Sequence, residues 1–203
     1  MLLKNKALKV YGLEPSKKAY KVMNKNLKSY TNFFPLNYKG ADIPLSLNVD
    51  LILSIGVIHH IKDPLSTLSR AYNVLKPNGK IIIWVYGIEG NRLYYYLFKS
   101  VHFITRKISH KNLLLLCKLI LPFVLIYGKL CLFVKLPMSE YFKNVINKWT
   151  TKVKLMTIYD QLNPEYAKYY KEEELINELK ASGFKNIKTY HRHKYSWTAI
   201  GEK

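Results

Sequence analysis

The sequence predicts an α/β fold in which a mostly parallel sheet ends in an antiparallel strand and carries a helical cap. Two apolar runs at 49–55 and 81–86 flank an amphipathic helix, which is the pattern of a parallel βαβ crossover. A strand and a Lys-rich helix precede them at 8–27, and a helix with two strands follows at 172–201. With 203 residues and 49% apolar content, the chain fits a single domain with its own core.

The amino-terminal elements are the least regular ones. A short strand is predicted at 8–13, and the turn at 14–16 leads into a helix that ends near Leu27. A second strand is predicted at 32–38, although Pro35 within it cannot donate a backbone hydrogen bond. This part therefore predicts a strand–helix–strand unit.

The central crossover has the strongest local pattern. The runs at 49–55 and 81–86 lack polar alternation, so both strands are predicted to be buried on both faces. Asp63 followed by a proline starts the intervening helix, and Lys-Pro-Asn-Gly at 76–79 stops it. The strands should be parallel, which puts the loop after Ser54 at the edge where open α/β sheets bind ligands.

The segment 91–156 is predicted to be a helical cap inserted in the domain. Its first helix has an apolar face made of Leu93, Leu97, Val101 and Ile104. The apolar run at 113–133 contains two lysines and Pro122, so no clean membrane span is expected there. Two short buried or interfacial helices are predicted instead.

Positive charge is concentrated in this cap. Lys and Arg number 33 against 13 Asp and Glu, and residues 92–156 hold 12 of the former and one carboxylate. Arg occurs at four positions in the whole chain. Guanidinium groups, which bind phosphates and bases through two hydrogen bonds, are therefore scarce, and no nucleic-acid partner is expected. Two interpretations of the cap stay open. It attracts an anionic or lipid-linked acceptor or an anionic membrane surface, or it is an apolar helix pair with a solvated Lys face in a Lys-biased chain.

The cysteines and the amino terminus indicate a reducing compartment. Cys117 and Cys131 have no His or Cys neighbour at metal-ligand spacing, so reduced, buried thiols are predicted and no metal site. Residues 1–7 lack the apolar core of a signal peptide. A cytoplasmic protein is expected, with the inner face of the membrane as the alternative location.

The carboxy-terminal elements complete the sheet. A helix is predicted at 172–180 and closed by Gly183, and two tightly joined strands follow at 186–193 and 195–201.

Three motifs carry a family resemblance. They are Asp-Leu-Ile-Leu-Ser-Ile-Gly-Val-Ile-His-His at 50–60, Asp-Pro at 63–64 and Leu-Lys-Pro-Asn-Gly at 75–79. Together they resemble the central motifs of class I S-adenosylmethionine-dependent methyltransferases, in particular a bacterial small-molecule group with a Rossmann-like sheet. Asn78 departs from the glycine of the family pattern, and asparagine tolerates the positive φ of such a turn.

The resemblance implies S-adenosylmethionine as cofactor and a small-molecule, glycan or lipid-linked acceptor. It places Glu14 at the ribose hydroxyls, although a strand-end acid that caps the next helix is the alternative. The residues that it places at the cofactor are Glu14, Asp42, Ser54, Ile55, Gly56 and His59. Those expected in the substrate pocket are His60, Tyr86, Asn91, Tyr170 and His191. No catalytic residue is assigned, and the candidates for a base are His59, His60, Asp160 and His191.

One part of the family pattern is missing from these residues. The family's first strand ends in a loop of the form D-x-G-x-G-x-G, whereas the first glycines here are Gly12 and Gly40. An incomplete cofactor site, impaired activity and unpaired strand edges are therefore expected of an N-terminally truncated chain. A non-catalytic fragment that binds an anionic membrane or a partner through its cap is the alternative. A nicotinamide-dependent oxidoreductase is disfavoured by the His-His and Leu-Lys-Pro-Asn-Gly context.

Overall fold

The computed structural model describes residues 3, 7–92, 95, 96, 101, 105, 107–163 and 166–203. The helices and strands run in the order β1 Val10–Leu13, α1 Lys17–Leu27, β2 Phe33–Leu36, β3 Val49–Ile55, α2 Pro64–Val74, β4 Leu75–Tyr86, α3 His110–Phe133, α4 Ser139–Asn144, α5 Thr151–Leu162, α6 Glu172–Ala181, β5 Lys185–Arg192 and β6 Ser196–Glu202. Of the first predicted cap helix, Leu93, Leu97 and Ile104 lie outside the described residues.

The strands form two sheets. Four of them have the order β3-β4-β6-β5, with β3 parallel to β4 and β6 antiparallel to both of its neighbours. The other sheet is the parallel pair β1-β2. These pairings confirm the predicted α/β fold, its parallel βαβ crossover and its reversed last strand.

The sheet is interrupted between β1 and β3. In the described part of the chain, β1 pairs only with β2, and β3 pairs only with β4. Leu51, Leu53 and Ile55 share one face of β3 and are all exposed. The prediction that β3 is buried on both faces is wrong, because no described element covers this face. The prediction holds better for β4, where alternate residues are buried and most of the others are half-buried.

The core lies between the four-stranded sheet and two helices. Ile81 and Ile83 of β4 pack with Leu68 of α2 and with Leu175 and Leu179 of α6, all almost fully buried. Before Ile58, no described residue is buried. Burial of apolar surface is the main stabilising term in folding, so the carboxy-terminal three quarters of the chain supply most of the stability.

Local signals in the sequence account for most element boundaries. The Asp63 side chain accepts a hydrogen bond from the Ser66 amide at 3.3 Å and caps α2, as predicted. Asn78 has the expected positive φ, 63°, although the structure places it within the first residues of β4 and not before the strand. His193 and Lys194 have φ 51° and 54° and form the tight turn between β5 and β6.

The cap differs from its prediction in one respect. The run at 113–133 forms a single helix, α3, that continues through Pro122 instead of two short helices. Pro122 is exposed, so water can solvate the carbonyl that loses its hydrogen bond. By length and composition alone, α3 is one helix that could cross a membrane. Length and composition do not test whether the segment spans a membrane, so the expectation that it does not stays a prediction.

One side of α3 packs against the rest of the cap. Leu113 and Cys117 form a small buried cluster with Leu162 of α5. Further along, the side-chain amide of Asn147 donates to the carbonyl of Gly128 at 2.8 Å. Both cysteine thiols are reduced and buried, as predicted. The opposite side of α3 is apolar and exposed and has exposed lysines beside it, so both interpretations of the cap stay predictions.

Candidate active site

An open cleft of about 540 Å³ lies where β3 and β4 end, at the carboxyl edge of the parallel pair. The loop after β3 forms one wall, and the end of α5 forms the other. The cleft is lined by Gly56, His60, Lys62, Tyr86, Asp160, Asn163 and Tyr166. A second cleft of about 320 Å³ shares Tyr86 and Asp160 with the first and continues under α4 and α5.

His60 has a defined tautomer in this cleft. Its ring Nδ1 lies 2.8 Å from the carbonyl oxygen of Tyr166. Because a carbonyl oxygen only accepts hydrogen bonds, Nδ1 carries the hydrogen and Nε2 keeps its lone pair. The structure thus gives one predicted base candidate an available proton-accepting nitrogen.

His59 lies behind the cleft and is almost fully buried. Its ring is 4.3 Å from the ring of Tyr86 and 4.2 Å from that of His60, and neither of its nitrogens has a partner among the described residues. Burial, with a smaller contribution from His60, lowers the pKa of His59 to about 3. His59 is therefore neutral at physiological pH, and its burial keeps it away from a ligand in the cleft.

Tyr86 and Asp160 form the polar floor between the two clefts. The side-chain amide of Gln161 donates to the Tyr86 hydroxyl, and burial raises the pKa of that phenol, so it stays protonated. Burial also raises the pKa of Asp160, and the neighbouring His60 partly opposes this shift. The cleft therefore holds one phenol, one imidazole and one carboxyl group, and the imidazole affects the pKa of the carboxyl group.

The end of β3 forms the rim of the cleft. Gly56 has φ +74°, and its amide donates to the carbonyl of Trp84 at 3.0 Å. A Cβ at Gly56 would meet the Trp84 ring only at 3.8 Å, so the backbone conformation and not space requires glycine here. Ser54 and Ile55 precede it at the end of β3, half-buried and exposed respectively.

Glu14 and Asp42 lie in the amino-terminal unit. One carboxylate oxygen of Glu14 accepts a hydrogen bond from the Ser16 amide at 2.8 Å, just before α1 begins. Its backbone carbonyl accepts from the Asn37 side chain at 2.7 Å. The cap of α1 is Ser16, whose side chain accepts from the Ala19 amide at 3.4 Å, so Glu14 holds the cap residue and does not itself cap the helix. One carboxylate oxygen of Glu14 remains for another ligand. Asp42 is exposed in a short 3-10 turn.

The first two glycines of the chain lie in close contact with neighbouring side chains. A Cβ at Gly12 would lie 2.5 Å from the ring of Phe33, and one at Gly40 would lie 2.5 Å from Thr67. Both glycines are needed for close contact within the protein, so neither offers open backbone to a ligand. Residues 1–55 therefore contain no glycine-rich loop of the family type.

Three predicted pocket residues are not among those that line the two clefts. Asn91 is buried, and its side-chain amide donates to the carbonyls of Gly87 and Tyr195. Tyr170 is fully buried and donates to Glu178 at 3.0 Å. His191 stacks on Trp197 with ring centroids 4.2 Å apart. The contacts of Asn91 and His191 lie at one end of the four-stranded sheet, and the contact of Tyr170 is with α6.

The cap supplies cleft residues that sequence reasoning missed. Tyr141 and Trp149 line the second cleft, together with Arg192 from the end of β5. Tyr141 stacks on Tyr195 with ring centroids 3.9 Å apart. An excess of aromatic residues in the cap was the one available signal, and it does not specify which of them face the sheet. Among the described residues, no group of His, Cys, Asp and Glu could hold a metal ion.

Comparison with known proteins identifies the fold. Residues 1–81 match a family model described as a methyltransferase domain, a range that holds all three motifs of the predicted resemblance. An S-adenosylmethionine-dependent methyltransferase from Thermotoga maritima superposes with a TM-score of 0.53 at 17% identity, over 100% of this chain and 75% of its own. This chain has the class I methyltransferase fold. No curated protein matches it by sequence.

Two further solved methyltransferases share this fold. The enzyme from Aquifex aeolicus superposes with a TM-score of 0.52 at 15% identity, over 96% of this chain and 68% of its own. Human N-acetylserotonin methyltransferase, solved with S-adenosylmethionine, gives 0.50 at 11% identity, over 96% and 40%. The chain spans about half the length of other structures with this methyltransferase fold, 53% in one case and 47% in another.

Proposed function

We propose that this chain transfers a methyl group from S-adenosylmethionine to a small-molecule, glycan or lipid-linked acceptor. The observation that carries the proposal is the cleft at the carboxyl ends of β3 and β4, where Gly56 forms the rim and His60 presents Nε2. The match of residues 1–81 to a methyltransferase domain supports it, and so does the S-adenosylmethionine bound to the human neighbour.

The cleft residues suit an in-line displacement. When bound, the cofactor supplies a sulfonium methyl group, to which the acceptor atom forms a bond while the carbon–sulfur bond breaks. His60 Nε2 takes the proton that an O–H or N–H acceptor releases, and the Asp160 carboxylate stabilises the resulting imidazolium. Tyr86 and Tyr166 enclose the acceptor beside this pair, which orients it and limits its contact with water.

These residues supply only part of a cofactor site. Glu14 has one carboxylate oxygen for a ribose hydroxyl, but Gly12 and Gly40 are both packed against side chains. Neither of these two glycines therefore leaves its backbone open to the methionyl part of the cofactor. We expect weak cofactor binding and impaired transfer by the 203 residues alone.

Calorimetric titration with S-adenosylhomocysteine tests this proposal. Glu14→Ala should weaken binding by about 1.5–3 kcal/mol, because a hydrogen-bonded charged group is lost. Glu173→Ala removes an exposed carboxylate from α6 and should leave the affinity unchanged. Equal affinity of the wild type and the Glu14→Ala variant would contradict the ribose assignment.

Two further titrations separate the rival functions. A chain lengthened at its amino terminus by a strand and a glycine-rich loop should bind S-adenosylhomocysteine more tightly than the 203 residues. Competition by NAD would favour a nicotinamide-dependent oxidoreductase. If neither chain binds S-adenosylhomocysteine, the non-catalytic alternative is favoured and the methyltransferase proposal fails.

A further inference from the structure

The outer side of α3 is a continuous apolar surface. Seven of its apolar side chains are between 49% and 86% exposed, and all of these except Leu132 share one face, namely Leu115, Leu119, Phe123, Ile126, Leu130 and Phe133. At about 100° per residue they fall within a sector of about 80° that runs along most of the helix. We call this surface the apolar stripe. Soluble proteins rarely expose so large a contiguous apolar surface without a partner.

The opposite side of α3 belongs to the protein. Leu113, Cys117, Gly128 and Cys131 are buried and fall on the far side of the helix from the apolar stripe. The contacts with α5 and Asn147 hold this side of α3 against the rest of the protein. A helix that crosses a bilayer alone would instead present its whole circumference to lipid. The geometry therefore favours a helix that lies along an apolar boundary.

Positive charge follows one border of the apolar stripe. Lys111, Lys118 and Lys129 are exposed and fall in a sector next to it, and Lys135 follows the end of the helix. Residues 92–156 contain one carboxylate, Glu140, to balance 12 Lys and Arg. Lysine stems are long enough to reach a polar layer beside a buried apolar face.

We propose that α3 docks this protein on an anionic lipid bilayer. The helix lies parallel to the bilayer plane, with the apolar stripe at the boundary between headgroups and acyl chains. Lys111, Lys118 and Lys129 contact the lipid phosphates along its border. Apolar burial and charge attraction act together at such a surface, and both are provided on the same side of α3.

A second copy of the chain fits this surface less well. In an antiparallel pair, two apolar stripes that packed together would bring two rows of lysines side by side. Glu140 is the single carboxylate of the segment and could not neutralise them. The charge of the surface thus complements phosphate rather than itself.

Vesicle cosedimentation of the full chain tests the proposal. The probe is phosphatidylcholine vesicles with about 30% phosphatidylglycerol, which carry an anionic surface. Leu119→Gln combined with Phe123→Gln should lower the partition coefficient about tenfold or more, because two exposed apolar side chains are lost. Lys111, Lys118 and Lys129 replaced together by Gln should lower it about a hundredfold.

The matched control removes the same charge elsewhere. Lys21, Lys25 and Lys28 are exposed at α1, and their replacement by Gln should change the partition coefficient far less. Pure phosphatidylcholine vesicles and about 1 M salt should both weaken binding of the wild type. Circular dichroism verifies that each variant keeps its helices.

Four outcomes would overturn the proposal. The first is binding that both α3 variants retain. The second is an equal loss on replacement of the α1 lysines. The third is binding insensitive to salt and to vesicle charge, which indicates a membrane-spanning helix. The fourth is self-association in solution that the Leu119→Gln and Phe123→Gln changes abolish, which indicates a second copy as the partner of the stripe.

Discussion

At the scale of single residues, His60 is the group whose chemistry the structure defines best. The carbonyl of Tyr166 accepts the hydrogen of Nδ1, so Nε2 is the nitrogen of this cleft-lining ring that can accept a proton. We expect long-range ¹⁵N–¹H NMR spectra at pH 8 to show the Nδ1–H tautomer for this ring. The His60→Gln variant identifies its signals, and an Nε2–H tautomer would remove His60 from the role of base.

The neighbouring His59 controls stability rather than proton transfer. Its pKa is about 3 in the folded protein and near 6.5 in an unfolded chain, so below pH 6.5 the unfolded state binds the extra proton. The free energy of unfolding should therefore fall by about 1.4 kcal/mol for each pH unit as the pH decreases from 6.5 to 3. Above pH 6.5 the contribution of neutral His59 to stability is fully present.

Replacement of the imidazole tests this effect. Urea denaturation of His59→Phe at pH 7.5, 6 and 5 should lack that part of the slope, since phenylalanine keeps an aromatic ring beside Tyr86 and does not titrate. His193→Asn removes an exposed histidine and keeps the left-handed turn, so it should retain the wild-type slope. A wild-type slope in His59→Phe would contradict the assignment.

At the scale of elements, the boundaries that the sequence predicts are those with a local cause. Asp63, Asn78 and Gly183 each act within a few residues of the chain, and the structure confirms the elements that they start or stop. Tyr141 and Trp149 could not be assigned to a cleft, because their position depends on how the cap packs on the sheet. The exposed face of β3 likewise depends on which elements cover it, which a local apolar run does not encode.

The continuity of α3 through Pro122 is the largest departure from local rules. Proline inside a helix removes one hydrogen bond and clashes with the preceding turn, so the packing of the buried side must hold the helix together. Pro122→Ala should raise the free energy of unfolding by up to about 3 kcal/mol in urea denaturation. Pro64→Ala, at the first turn of α2, should change it little. A destabilised Pro122→Ala variant would show that α3 is broken at this residue.

At the scale of the whole molecule, stability is distributed unevenly. The buried core begins at Ile58, whereas β1, α1 and β2 contain no buried residue. A two-stranded sheet with one amphipathic helix buries little apolar surface, and in the described part of the chain no strand joins it to β3. Glu14, the proposed ribose ligand, therefore lies in the part of the fold with the least burial.

We expect this unit to open independently of the core, because local unfolding free energies follow local burial. In native-state hydrogen exchange, amides of β1 and β2 should be protected about a hundredfold or more less than those of β4 and β6. β5 is the matched control. It is also an edge strand with mostly exposed residues, but it pairs with β6 within the four-stranded sheet. Uniform protection across β1, β5 and β4 would mean that the two sheets unfold as one unit. In that case the carboxylate of Glu14 is held as firmly as the cleft, and weak cofactor binding could not be explained by opening of the amino-terminal unit.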